Sequence, residues 1–247
     1  MTSLQPISNS PDGIRHPSLS LLTLETDSGG SFAEEFRVQV ERALAGAGDD
    51  AEVLRAASPD HGRLRDYAFA ARRGHMSLGR TGLEATTTES VFGLYAHAYH
   101  RQFSVASVEA PGCPAVNAVW RDGLARIERG PRAGTFEEIL ATAELFDNIF
   151  FFRLIENLPD DNSFLEAVKL RLAPLGMVVF TAAYSPAAAT TFGEVGLFRV
   201  YDRAGLEQRL ALAGLRILHF ETHALEATAK DLDTSGSNLA YIAAQKP

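Results

Sequence analysis

Apolar residues cluster most densely between Phe146 and Phe180, FDNIFFFRLIENLPDDNSFLEAVKLRLAPLGMVVF. Ile149-Phe150-Phe151-Phe152 is a short continuous apolar run, the pattern of a strand buried on both faces. The polar turn Leu158 to Asn162 stops it. Ser163 then predicts an N-cap, with Glu166 three residues on completing a capping box. Phe164, Leu165, Val168, Leu172 and Leu175 recur at helical spacing, Gly176 closes the helix, and Met177-Val178-Val179-Phe180 predicts the next buried strand. Strand, helix, strand is the unit of a parallel sheet with a right-handed crossover.

Upstream, the pattern predicts an amphipathic helix that opens on the capping box Ser31-Phe32-Ala33-Glu34 and stops at Gly46. Further helices are predicted over Asp49–Ala57 and His61–Arg73, and a strand over Leu19–Glu25. A short strand from Met76 runs into a turn bearing Gly79 and Gly82, and a helix follows over Glu89–Gln102. Such a turn presents backbone N–H groups to a polar or anionic ligand. Phe103 to Val108 reads as a strand ending at Glu109, where a carboxylate can accept both hydroxyls of a ribose. Gly112-Cys113-Pro114 starts a helix through Leu124, and Ala125-Arg126-Ile127-Glu128 is read as the third strand. FEEILATAEL fits either helix or strand.

Downstream of Phe180 the chain leaves its strand at Tyr184 into a long loop. Asp202 caps a helix over Arg203–Ala213. Leu215–Phe220 and Asn238–Ala244 are strands, with an exposed helix and turn between Thr222 and Ser237.

Composition narrows the function. The 247 residues, 46% of them hydrophobic, suffice for a full globular core. No stretch approaches the ~20 apolar residues of a membrane span. The N-terminal MTSLQPISNSPDGIRHP has no signal-peptide centre and reads as a disordered tail. A net charge of −8 without a basic stripe argues against nucleic acid. The single cysteine, Cys113, excludes an internal disulfide and suits a reducing compartment. These features together predict a cytoplasmic globular protein with a small-molecule or protein partner, a homodimer being one option. No His/Asp/Glu set has metal-ligand spacing, so no metal is expected.

From Phe146 onward the chain resembles class I S-adenosylmethionine-dependent methyltransferases. The resemblance is carried by FDNIFFFRLIENLPDD, FLEAVKLRLAPLGMVVFTAAYSP, GLFRVYDRAGLEQRLALAGLRILHFE and NLAYIAAQKP, in that order. It implies an α/β, Rossmann-like methyltransferase fold, a mostly parallel seven-stranded sheet with helices on both faces and an N-terminal helical extension. The expected organisation is a tail over 1–17, a helical extension or lid over 18–73 and the Rossmann-like domain over 74–247. The implied cofactor is S-adenosyl-L-methionine, held by Ser77, Gly79, Arg80, Thr81, Gly82, Glu109, Ala110 and Phe152. Arg153, Asn157, Tyr184, Phe192, Arg199 and Tyr201 are expected around a small-molecule acceptor such as a saccharide or secondary metabolite. Glu156, His97 and His100 are the candidate bases, with His219 and His223 near the sixth strand as lesser ones. Two other readings fit the altered glycine turn: a binding or scaffold protein that has lost the cofactor site, and a nucleotide-sugar or nicotinamide enzyme.

Overall fold

The computed structural model describes residues 29–57, 59, 61–74, 80–111, 113, 115–186, 191–192, 199–224 and 238–247. The first elements are helices α1 (Gly29–Leu44), α2 (Ala51–Ala56) and α3 (His61–Arg73). Strand β1 (Thr81–Thr86), helix α4 (Phe92–His97), strand β2 (Gln102–Ser107) and helix α5 (Ala118–Arg126) follow. Next come β3 (Arg132–Thr135), α6 (Phe136–Ala141), β4 (Phe146–Phe152), α7 (Asp161–Arg171) and β5 (Leu172–Tyr184). The chain closes with the short strands β6 (Thr191–Phe192) and β7 (Arg199–Val200), then α8 (Arg203–Leu212), β8 (Arg216–Ala224) and β9 (Asn238–Gln245).

Seven strands form one sheet in the order β3-β2-β1-β4-β5-β9-β8. The five from β3 to β5 are parallel, and β9 runs antiparallel to both its neighbours. Strand β4 alternates between two cores. Phe150 and Phe152 join the aromatic cluster under α1, α3, α4 and α5, while Ile149 and Phe151 join the cluster under α6, α7 and α8. Each ring so buried stabilises the fold by roughly 1.5–3 kcal/mol, which accounts for the unbroken apolar run in the central strand. Among the described residues no helix is long and apolar enough to cross a membrane.

The C-terminal half follows its predicted order, with shifted boundaries. Asp160, rather than Ser163, caps α7: its side chain accepts the Ser163 N–H at 2.9 Å. The helix ends at Arg171, ahead of Gly176, which lies inside β5. Asp202 caps α8 as expected, accepting the Gly205 N–H. Strand β8 runs on to Ala224, so Thr222 to Ala224 are strand rather than helix, and the remainder of that predicted helix lies outside the described residues. The predicted strand Leu19–Glu25 lies outside them too.

The N-terminal half needs larger corrections. Helix α1 begins at Gly29, ahead of Ser31. Strand β1 begins where the predicted glycine turn ended, and α4 covers only part of Glu89–Gln102. Gly82 is a strand residue: a Cβ there would lie 2.5 Å from the Phe103 ring and 2.9 Å from His100, so glycine is required by packing. Helix α5 opens at Ala118 on the Asn117 cap and takes up Ala125 and Arg126, displacing the third strand to Arg132–Thr135. FEEIL is helical, set by a capping box between Thr135 and Glu138.

Candidate functional site

Strand order reverses between β1 and β4, and in open parallel sheets that is where a crevice opens outside the carboxyl ends. The turn leaving β1 is Thr87-Thr88-Glu89-Ser90-Val91, organised by hydroxyls instead of glycines. Thr86 Oγ1 donates to the Thr88 carbonyl at 2.7 Å and accepts the Thr88 N–H at 3.2 Å. Ser90 Oγ accepts the Phe92 N–H that opens α4 and donates to Glu84 Oε1 at 2.6 Å. With its proton committed to Glu84, Ser90 receives the Tyr67 hydroxyl of α3 at 3.0 Å.

Burial raises the Glu84 carboxyl to about 7, opposed by the Ser90 hydroxyl and the Arg63 charge. Gly93 makes this arrangement possible, since a Cβ there would sit 2.3 Å from Val105 and 3.4 Å from Glu84 Oε2.

Helix α3 is fastened over the end of β4. Arg63 reaches the Phe152 carbonyl at 3.4 Å, and buried Asp66 pairs with Arg153 at 3.2 Å. Arg153 holds φ of +49°, and its carbonyl accepts the Asn157 side-chain amide at 3.0 Å. Between α2, α3, the β1 turn and the start of α5 lies a cavity of about 460 Å³, lined among others by Val53, Ala57, Arg63, Tyr67, Glu89 and Trp120. Its size is that of a metabolite site. Glu89 Oε1 accepts the Asn117 N–H at 3.1 Å, joining the β1 turn to the cap of α5. Glu109 is exposed on the same edge of the sheet, just past β2, followed by buried Ala110.

The predicted site residues divide between the two ends of the sheet. Glu109, Ala110, Phe152, Arg153, Glu156, Asn157 and Tyr184 lie at or just past carboxyl ends of strands. Arg80 and Thr81 precede or begin β1 and Gly82 is next, so these three lie at the amino end, opposite the crevice between β1 and β4; Ser77 and Gly79 lie outside the described residues. His97 and His100 are at the amino end too. His97 Nε2 lies 2.5 Å from the Arg129 carbonyl. His100 Nδ1 lies 2.8 Å from the Ala96 carbonyl and its Nε2 3.3 Å from Asn148 Nδ2. Burial drives His100 down to about 4, so it is neutral and structural. Neither histidine can act with Glu156 on one small substrate, because they lie at opposite ends of the strands.

Glu156 sits in the turn after β4 and is fully buried. Its Oε1 accepts the Ala183 N–H at 3.2 Å, and burial raises it to about 7. Phe152 packs its ring against Tyr67 and Phe92. Tyr184 is buried with an edge contact to Phe220. Arg199 and Tyr201 are both buried in a polar cluster. Arg199 pairs with Asp161 at 2.5 Å, and the Tyr201 hydroxyl donates to the same carboxylate at 2.7 Å. Phe192 falls in β6, the short partner of β7. His219 and His223 flank Glu221 on the edge strand β8, and Cys113 is a half-buried free thiol ahead of α5.

Sequence reading missed Tyr67, Glu84, Glu89, Ser90 and Trp120. The available signal was the hydroxyl-rich segment Glu84-Ala-Thr-Thr-Thr-Glu-Ser90 immediately ahead of an apolar helix, a turn without its usual glycines.

No protein-family model and no curated protein matches the sequence. Solved structures match it in fold. The [4+2]-cyclase SpnF aligns with a TM-score of 0.58 and 13% identity over 89% of this chain and 96% of its own. Geranyl diphosphate methyltransferase, solved in complex with S-adenosylmethionine, aligns with a TM-score of 0.58 and 16% identity over 84% of this chain and 95% of its own. The N-methyltransferase NodS from Bradyrhizobium japonicum WM9 aligns with a TM-score of 0.53 and 18% identity over 75% and 96%. The chain has the fold of class I S-adenosylmethionine-dependent methyltransferases.

Proposed function

We propose that the protein is a methyltransferase that binds S-adenosylmethionine in the cavity beneath α2 and α3 and transfers its methyl group to a small molecule. The observation that carries this reading is a metabolite-sized cavity at the carboxyl edge, beside the switch from β1 to β4, in a fold shared with methyltransferases. The residues present fit a nucleoside cofactor. Tyr67 and Trp120 supply aromatic wall and the turn bearing Glu89 closes one side, while Glu109, outside the cavity's lining but on the same edge of the sheet, offers an exposed carboxylate for two ribose hydroxyls. The bound cofactor supplies a methyl group on a sulfonium. The chain's part is to hold the acceptor in line and to keep water out, and α3, pinned at Arg153 and Phe152, is the element that does both. Glu89 is the carboxylate on the cavity wall and the residue placed to take a proton from an acceptor that must lose one.

S-adenosylhomocysteine at about one hundred times its Kd is expected to stabilise the protein by about 2.7 kcal/mol, a rise in melting temperature of roughly 5–10 °C. Glu109→Ala is expected to weaken binding about 10- to 100-fold, the effect of losing hydrogen bonds to a charged acceptor. A thermal melt measures the first and calorimetric titration the second. No thermal shift at millimolar ligand would overturn the reading.

The glycine-free turn favours a second reading, in which the cavity binds a ligand without methyl transfer; the cyclase SpnF bears this same fold. S-adenosylhomocysteine binding without methylated product across an acceptor panel would select it.

A further inference from the structure

A second cavity, of about 320 Å³, opens at the opposite end of the molecule from the first. It lies between α1, the last turn of α4 and the turn joining α5 to β3, with Ala43, Leu94, Ala98 and Ile127 among its apolar lining. Arg42 and Arg129 stand at its rim. The protein as a whole is acidic, with 31 Asp and Glu against 23 Lys and Arg. Nevertheless neither arginine has a carboxylate partner among the described residues: Arg42 bonds the neutral Gln39 amide at 3.3 Å, and Glu128 is the cavity's own acidic residue.

The backbone at Arg129 adds an independent observation. It holds φ of +59°, a conformation that favours glycine, although Gly130 is the very next residue. His97 imposes it. Burial lowers the His97 pKa, so the ring is neutral, and its Nε2–H donates to the Arg129 carbonyl. A neutral, half-buried imidazole thus spends its one donor on the carbonyl of an arginine in a strained turn. Glycine there would be easier for the backbone but would leave the cavity without this guanidinium. Arginine's planar fork matches a carboxylate with two parallel hydrogen bonds.

We infer that this cavity is a second small-molecule site, for an aryl or acyl carboxylic acid whose apolar body lies against Leu94, Ala98 and Ile127 and whose carboxylate meets Arg129 and Arg42. His97 is its positioning residue. The site lies outside the cofactor cavity, and its existence does not depend on methyl transfer.

The test titrates the whole protein with phenylacetate, followed by calorimetry and by protein NMR. Phenylacetamide is the uncharged control and inorganic phosphate the anion without an apolar body. Phenylacetate is expected to saturate with a Kd of about 1 mM or below, in line with the affinities fragments reach. The amide and phosphate are expected to bind at least about tenfold more weakly, since each lacks one half of the recognised chemistry.

Arg129→Gly is expected to weaken phenylacetate about tenfold or more while leaving the melting temperature unchanged or raised, because the residue's strain is relieved and the His97 bond to its carbonyl is kept. Arg42→Gln, at an exposed position, is expected to weaken binding as well. S-adenosylhomocysteine should not compete. Absence of saturation, equal binding of acid and amide, an Arg129→Gly variant with unchanged Kd, or competition by S-adenosylhomocysteine would each overturn the assignment. Failure of S-adenosylhomocysteine to bind at all would overturn only the proposed methyltransferase activity.

Discussion

Asp161→Ala is expected to lower the melting temperature by roughly 6–20 °C. Asp161 is 2% exposed and collects three donors. Oδ1 faces Arg199 at 2.5 Å, and Oδ2 receives the Tyr201 hydroxyl at 2.7 Å and Arg209 Nε at 2.6 Å. These contacts tie the first turn of α7 to β7, the residue after it and α8. Burial alone would push this carboxyl up, but the bonds from Arg199 and Tyr201 and the nearby Arg209 charge outweigh it and hold the pKa low.

Removing the carboxylate leaves a nearly buried arginine uncompensated, which costs about 3–5 kcal/mol in buried pairs. At roughly 2–4 °C per kcal/mol for a chain of this size, the shift follows. Glu207→Ala, which breaks the exposed Arg203 pair, is the control and should leave the melting temperature nearly unchanged. Equal shifts for the two variants would show that the Asp161 cluster is not a structural hub.

The second large effect is on the pH dependence of stability. Glu84 and Glu156 are fully buried, and each has its carboxyl raised from 4.5 to about 7. An acid whose folded pKa lies above its unfolded value binds its proton more tightly in the native state. It therefore adds stability below about pH 4.5 that is lost as pH rises to about 7. One pKa unit is 1.36 kcal/mol, so each carboxyl withdraws about 3 kcal/mol across that window.

His100 works in the other sense. Its folded pKa is lowered from 6.5 to about 4, so its contribution is complete above pH 6.5 and is lost as pH falls towards 4. The wild-type protein is thus expected to lose a net few kcal/mol between about pH 5 and 8. Glu156→Gln keeps the acceptor for the Ala183 N–H and removes the titration. Urea unfolding at a series of pH values should give the variant a profile shallower by about 1.4 kcal/mol per pH unit between pH 5 and 7. Parallel profiles for the two proteins would refute the assignment.

The parts legible in the sequence are those where one physical signal dominates. Ile149 to Phe152 must be a two-faced strand because nothing polar interrupts it, and Asp202 caps α8 because an aspartate stands ahead of a helix-forming run. The class of fold followed from these. Strand β1 was misplaced because its sequence, Thr81-Gly-Leu-Glu-Ala-Thr86, places a glutamate in a fully buried position. A buried carboxyl bonded by a serine six residues later leaves no mark in hydropathy. Gly82 looked like a loop glycine, whereas its need is set by a ring from the neighbouring strand. Strand β3, Arg-Ala-Gly-Thr, has no apolar run at all. Of the candidate site, Glu109 could be placed because β2 could. Arg199 and Tyr201 could not, since only the tertiary fold brings Asp161 beneath them.

The helices around the first cavity are unequally anchored. Helix α3 contributes Tyr67 to an aromatic wall shared with Phe36, Phe92 and Phe152, and swinging it aside would expose the main core. Helix α2 has six residues and buries only Leu54. Local opening is least costly where few apolar groups are buried. Helix α2, over Ala51 to Ala56, is therefore the wall of the cavity that local opening releases at the least cost.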